Sequence, residues 1–359
     1  MKNRTTFFVL VAIAVIGIAA LLAYAFEQPP PPQCNQTWSC GAPYPLEVTG
    51  TPGVGGQPCL ANSTYLLCIG GEDPNSSPRN ETYIATLSAS GNVTGWTLSS
   101  HGYPRNIYAQ SCVLYSGYIY CVGGIYDNAG DDVASSYYAQ VGAGGIGRWF
   151  STTSYPVAVD SESCTAWSSY IYCVGGNNET DGTGGTLALS STVWYAQLST
   201  LGIGEWNKTT AYPSAAFVPD CFGANGYIYC VGGADDTGNP VTNSYYAPLG
   251  SDGVGEWVPT SGYPLPAAGV ECVPSGGYVY CVGGEAVAAE SPGYTSAVYY
   301  AAVTSSGLGP WKEGTDYPNS TATSCAALSG YIYCVGGYDG STVGANDRVN
   351  YARAASFSA

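Results

Sequence analysis

The sequence predicts an all-β protein assembled from six copies of one unit, and three observations carry that prediction. A Gly-Gly doublet begins at residues 70, 123, 175, 232, 283 and 336, a period near fifty. Each doublet closes a stretch like "SCVLYSGYIYCVGG" (111–124), in which two cysteines stand nine positions apart about a small turn-forming step. The 359-residue chain also holds 49 Gly and 32 Tyr but 1 Met, and only 9% of its residues are charged. Past residue 30 it shows no long 3.6-residue alternation of apolar and charged faces, so helices are not expected. A repeat of this length sets the architecture before any local assignment.

Residues 1–33 read as a separate object. Phe7 to Phe26 is an uncharged, mostly apolar run of 20 residues, long enough to span a bilayer as a helix. Lys2 and Arg4 precede it, which keeps 1–6 cytoplasmic and exports the rest. The run 7–26 is read as an uncleaved transmembrane anchor. Ala23-Tyr24-Ala25 offers the alternative of a removable signal, which would make the protein secreted. Residues 27–33, with Pro29 to Pro32, form a stiff linker. The expected place is therefore the cell membrane, with residues 34–359 outside.

Within a repeat the elements come in fixed order. Strand a carries the first cysteine and strand b the second, followed by the doublet and a polar loop. Strand c bears tyrosines ("SSYYAQVG", "STVWYAQLS"), and strand d bears Trp96, Trp149, Trp206, Trp257 or Trp311. A Tyr-Pro step follows six or seven residues later. An apolar strand ending in Gly-Gly, then Tyr, then Trp, at a period near fifty, resembles the kelch repeat over roughly residues 35–356. That resemblance implies a six-bladed β-propeller of four-stranded antiparallel blades. It says little about function, since such propellers serve many roles, and paired cysteines are not part of the usual kelch pattern.

The sixth repeat ends at Ala359 without a tryptophan strand, while "CNQTWSCGAPYPLEV" places Trp38 six residues before Tyr44-Pro45. Residues 35–41 are therefore expected to supply strand d of the last blade, leaving no open seam.

The cysteines follow from the turn. A two-residue turn at Ser116-Gly117 sets Cys112 opposite Cys121 as a non-hydrogen-bonded pair, whose Cα atoms lie near 4.5 Å, within disulfide reach. Equivalent steps at Ser63-Thr64, Ser168-Ser169, Asn225-Gly226, Gly276-Gly277 and Ser329-Gly330 suit turns with positive φ. The expected bonds are Cys59–Cys68, Cys112–Cys121, Cys164–Cys173, Cys221–Cys230, Cys272–Cys281 and Cys325–Cys334, as befits an exported chain. Metal binding by these thiols is a poor alternative, because His101 is the only histidine and cannot complete several sites. Cys34 and Cys40 remain. Pairing by elimination joins them, yet six residues of extended strand span about 20 Å, so either the strand is shorter, with a bend near Asn35, or one cysteine reaches elsewhere. Asn35, Asn62, Asn75, Asn80, Asn92, Asn178, Asn207 and Asn319 head Asn-x-Ser/Thr triplets and are glycosylation candidates.

Strand direction sorts the loops onto two faces. The a–b turns and c–d loops are small and uncharged. The b–c loops on the other face hold Glu72 and Asp73; Asp127, Asp131 and Asp132; Glu179 and Asp181; Asp235 and Asp236; Glu285 and Glu290; Asp339 and Asp347. Strand a starts on that face too, with Asp160, Glu162, Asp220 and Glu271 just before a cysteine. If strand a is innermost, as the resemblance implies, these four approach the mouth of the central channel. The candidate binding residues are Asp127, Asp131, Asp132, Glu162, Asp220, Asp235, Asp236 and Glu271. They could hold Ca²⁺ or accept hydrogen bonds from a sugar, though solvation alone also accounts for acidic loops. Loop tyrosines Tyr126, Tyr294 and Tyr338 suit a ligand-facing role, whereas the strand aromatics repeat blade by blade and read as core.

A net charge of −16 repels phosphates and excludes nucleic acid as a partner. The first functional expectation is a non-catalytic, membrane-tethered extracellular recognition or adhesion module, binding protein or glycan through the acidic face, with no resident cofactor. The second is a carbohydrate-active enzyme of the kelch type. Copper chemistry like that of galactose oxidase needs two histidine ligands, which this chain lacks, and a sialidase-type site needs converging arginines. A mutarotase-like reaction needs one acid–base group at the channel, for which Glu162, Asp220 or Glu271 could serve. The third is a structural component of the cell envelope.

Overall fold

The structure, a computed structural model, describes residues 34–45, 47–48, 51–52, 55–62, 65–126, 131–142, 145–178, 189–214, 219–235, 237–288, 291–319, 322–338 and 345–357. The expected cytoplasmic start, anchor and linker (1–33) lie outside the described residues. Among the described residues no helix is long and apolar enough to cross a membrane.

Six antiparallel sheets each hold one repeat. In the second, strand a is Ser111–Tyr115, strand b Tyr118–Val122 and strand c Ser136–Gly142. The hairpins turn as the sequence dictates: Ser116 and Gly117 have φ of 50° and 80°, and Asn225 and Gly226 have 54° and 83°. Residue 112 then pairs with 121, and all six a–b cysteine pairs are disulfides with Cα atoms 4.0–4.1 Å apart. Ser63-Thr64 lies outside the described residues.

Strand d differs from expectation in blades two to five, where it is broken in two. In the second blade Gly145–Ile146 and Phe150–Ser151 both pair with strand c. Between Ile146 and Phe150 strand d advances four residues while strand c advances three, from Val141 back to Tyr138. The extra residue is a bulge, and it turns the tryptophan inward. Trp149 is buried and meets Tyr103 edge-on at 4.9 Å.

This Trp-on-Tyr contact recurs six times, from Tyr44–Trp96 round to Trp38–Tyr317. In five cases the indole N–H also donates to a backbone carbonyl beside the preceding strand d, as Trp206 does to Thr153 and Trp38 to Thr315. The innermost strands pack each against the next: Cys59–Ala61, Ser111–Tyr115, Ser163–Trp167, Asp220–Ala224, Glu271–Ser275, Ala322–Leu328 and back to the first. The protein is a multi-blade β-propeller with strand a at the centre.

The ring closes through Ser39–Cys40, which pairs antiparallel with Val349–Arg353 of the last sheet. Trp38 is fully buried there. The Cys34 question resolves in favour of a short strand. Asn35 Oδ1 accepts from the amides of Thr37 and Trp38, the chain bends, and Cys34 bonds Cys40 across 5.6 Å between Cα atoms. One part of the closure has no sequence signal. The terminal 3-10 helix Ala354–Phe357 sets Phe357 against both Trp38 and Tyr280. Tyr120, Tyr172, Tyr229 and Tyr333 each donate to a carbonyl of the next blade's c–d turn. At Tyr280 the next blade's strand d comes from the other terminus, no such turn exists, and the phenyl ring packs there instead.

The seam is the place to test this account. Trp38→Ala should lower unfolding free energy by about 3–5 kcal/mol, and deletion of 354–359 should lower Tm by removing Phe357. A thermal melt unchanged by either would refute closure through these residues.

Candidate functional site

The innermost strands line an axial cavity of about 580 Å³, and the first cysteine of every blade reaches it. It opens on the side where strand a begins and strand b ends. Asp160, Glu162, Asp220 and Glu271 all line it, with Tyr108 and Tyr338. Tyr108 is held by a small sheet in which Ile107–Tyr108 pairs with Ile125–Tyr126 and that with Asp131–Asp132.

In five of the six blades the residue before the a-strand cysteine has a structural task that the sequence alone did not reveal. Cys164 N–H donates to Ser111 Oγ at 3.0 Å, Cys221 N–H to Ser163 Oγ at 2.8 Å, and Cys59 N–H to Ser324 Oγ at 2.9 Å. Asp220 accepts from Cys272 N–H, and Glu271 from the amide of Cys325. Five such bonds form a belt from blade to blade around the cavity; Pro58, at the sixth position, has no side-chain acceptor. The signal was available as a column of Pro, Ser, Ser, Asp, Glu and Ser before the cysteines. Where a serine hydroxyl suffices in three blades, blades four and five place carboxylates.

Those carboxylates are electrostatically unusual. Burial pushes Asp220 up to about 7, against the countering amides of Cys272 and Cys221. Burial also raises Glu271 well above the usual carboxylate range, and the neighbouring Asp220 adds to it. Glu162 is 4% exposed and is raised chiefly by burial, with Asp160 and Asp132 adding and the amides of Glu162 and Ser111 countering. Asp160 is buried and bonded to Ser161 Oγ and Asn177 Nδ2. No Lys, Arg or His lines the cavity among the described residues. Arg105 lies over the Tyr126 ring, Arg148 over Phe150, and Arg79 pairs with Asp73 and Glu81.

Of the candidate residues, Glu162, Asp220 and Glu271 come together in the cavity. Asp131 is exposed and Asp132 half-buried; neither lines it. Asp235 serves its own loop, where its Oδ1 accepts from the Thr237 hydroxyl and from the amides of Asn239 and Thr237, and these bonds, the hydroxyl's foremost, hold its carboxyl below the usual range. Asp73 Oδ1 also accepts from amides of its own loop, those of Asn75 and Ser77. Asp127 and Asp236 lie outside the described residues. Among those described, no three His, Cys, Asp or Glu side chains converge as a metal cage. Tyr338 donates to Glu72 Oε1 at 2.6 Å and stacks on Tyr294, fixing one wall. Of the glycosylation candidates, Asn35, Asn75, Asn92 and Asn207 are exposed, and Asn62, Asn80, Asn178 and Asn319 are half-buried.

The raised carboxyls set the sign of the pH dependence. A carboxyl whose folded pKa exceeds its unfolded one holds its proton more tightly when folded, so stability falls as pH rises between the two values. For Asp220 that window runs from an unfolded value of about 4 to about 7. Melting temperature should therefore decline from pH 4.5 to pH 7, and a rise over that range would contradict the assignment.

No family model matches the chain, and no curated protein matches it. Among solved structures it is similar to a kelch-type propeller protein, titled "Structure of YjhT", with a TM-score of 0.68 at 11% identity, covering 87% of this chain and 96% of that one. At that identity the likeness speaks to fold alone, and it supports the multi-blade propeller.

Proposed function

We propose that the chain is a six-bladed propeller of kelch type, tethered outside the cell by residues 7–26, and that it is a non-catalytic recognition module whose axial cavity takes a glycan. Six sheets and six Trp–Tyr contacts support the blade number. Seven disulfides, with no free cysteine, suit an oxidising exterior. The observation that carries the ligand reading is the cavity's lining, which has four carboxyl groups, two tyrosines and no cationic side chain. Carboxylates accept hydrogen bonds from sugar hydroxyls, tyrosine rings pack on sugar faces, and the volume falls in the range of small-ligand sites. The same lining offers an anion no cationic side chain to pair with, so the favoured glycan is neutral or carries an amine, and acidic sugars are disfavoured.

One observation favours a second reading, a mutarotase-like enzyme. Asp220, pushed up to about 7 beside Glu271, is matched to proton transfer near neutral pH.

The belt supplies a variant that separates ligand binding from folding. Asp220→Ser with Glu271→Ser copies the residue found at three other belt positions and removes two carboxyls. The double variant should keep the wild-type melting temperature or exceed it. Wild type should show a thermal shift with neutral or amino sugars that the variant loses. A Ca²⁺ and chelator arm tests a cation, and NMR of sugar anomers tests turnover. Anomer exchange abolished in the variant would promote the enzyme reading, and no shift with any glycan would leave a structural envelope role.

A further inference from the structure

Glu162 belongs to a second column of residues, two positions before each a-strand cysteine: Gln57, Gln110, Glu162, Pro219, Val270 and Thr323. In the first blade Gln57 Nε2 donates to the carbonyl of Val335, the residue after the second cysteine of the sixth blade, at 2.8 Å. In the second blade Gln110 Nε2 donates to the carbonyl of Ile69, the same position in the first blade, at 3.1 Å. Both amides tie an innermost strand to the end of strand b in the blade before it. By the same offset Glu162 faces Val122, the residue before the doublet Gly123-Gly124.

The glycines beside these carbonyls locate the side-chain atoms. A Cβ placed on Gly70 would lie 3.2 Å from Gln110 Nε2, and one placed on Gly123 would lie 2.9 Å from Glu162 Oε1. The carboxyl oxygen thus occupies the place of the glutamine's donor nitrogen. The amides of Glu162 and Ser111 lie near the carboxyl, but neither Glu162 oxygen completes a hydrogen bond as an acceptor. A carboxylate facing a carbonyl repels it, whereas a carboxylic acid donates to it as an amide does.

We infer that Glu162 is held as a neutral acid whose proton is donated to the Val122 carbonyl, making the seam between the second and third blades a pH-sensitive clasp. The groups around it act in the same direction. Asp160 in the same segment just before strand a, Asp132 on the second blade's loop, and the buried Tyr103 and Tyr155 beside it are acidic or neutral, and neither ion pair among the described residues reaches it. When the proton leaves for solvent, the clasp loses its donor and two like-charged oxygens face each other. Glu162 and Ser111 both line the ligand cavity, so the clasp is also part of the cavity wall. This inference stands whether or not the cavity binds a glycan.

The test compares wild type with Glu162→Gln across pH in the absence of any ligand. The amide restores the donor permanently, so the two melting temperatures should agree near pH 4. At pH 8 the variant should melt higher by on the order of 3 °C or more. Parallel pH profiles, or a variant less stable at pH 8, would overturn the inference. An infrared measurement does not depend on how that variant folds. In the D220S/E271S background, a protonated-carboxyl band should persist at pH 6 and vanish at higher pH, and its absence at pH 6 would equally overturn the assignment.

Discussion

The fold depends on one backbone contact repeated between neighbouring blades. The second glycine of a doublet donates its N–H to a carbonyl just before the next blade's strand a: Gly71 to Ile107, Gly124 to Val159 and Gly233 to Ala267, each at 2.8 Å. Both glycines of a doublet have positive φ, 61° and 100° at Gly123 and Gly124. A Cβ on Gly123 would stand 2.5 Å from the Val159 carbonyl oxygen. Only glycine meets both demands. Strand b therefore ends against its neighbour, its disulfide-linked partner strand a is carried to the axis, and the six inner strands meet closely enough for a side chain in one blade to bond the backbone of the next.

That proximity explains why the site and the scaffold share residues. The belt needs an acceptor before each cysteine, and a serine hydroxyl is sufficient at Ser111, Ser163 and Ser324. Asp220 and Glu271 meet the same requirement but bring charge to a half-buried place on the cavity wall, which is unfavourable to the extent that they give up a proton. Stability alone gives no reason to prefer them to serine. Their presence in adjacent blades sets that sector apart from the repeated inner wall, and it is the feature on which the proposed ligand role rests.

Much of this was readable from sequence because repetition does the work of an alignment. Six copies of one hairpin fix the cysteine register, and a single interval, Trp38 to Tyr44, identifies the closing strand. What escaped were features that break the repeat or depend on distance across it. For Cys34 and Cys40 the sequence leaves open a bend near Asn35 or a partner elsewhere, and the bond forms through the bend that Asn35 makes with its own side chain. Phe357 fills a gap that exists only because the sixth blade borrows its strand d. Asp235 and Asp73 looked like members of an acidic face, but each is turned back onto its own loop by amides two and four residues on. An Asp followed by such a tight turn is as much a cap as a charge.

The column containing Glu162 shows how a repeat can carry information that single residues do not. Taken alone, a buried glutamate in a channel suggests a catalytic acid or a cation ligand. Set beside Gln57 and Gln110, it occupies a donor's position in a series of blade-to-blade bonds, and its chemistry follows from that place. The comparison also limits what the residue can do, because a proton committed to the Val122 carbonyl is not free for transfer to a substrate. Proton exchange with a ligand would then fall to Asp220 and Glu271, which flank the seam between the fourth and fifth blades and accept from amides rather than donate. The cavity thus has two acidic sectors of opposite character: one whose proton holds the wall together, and one whose proton is available.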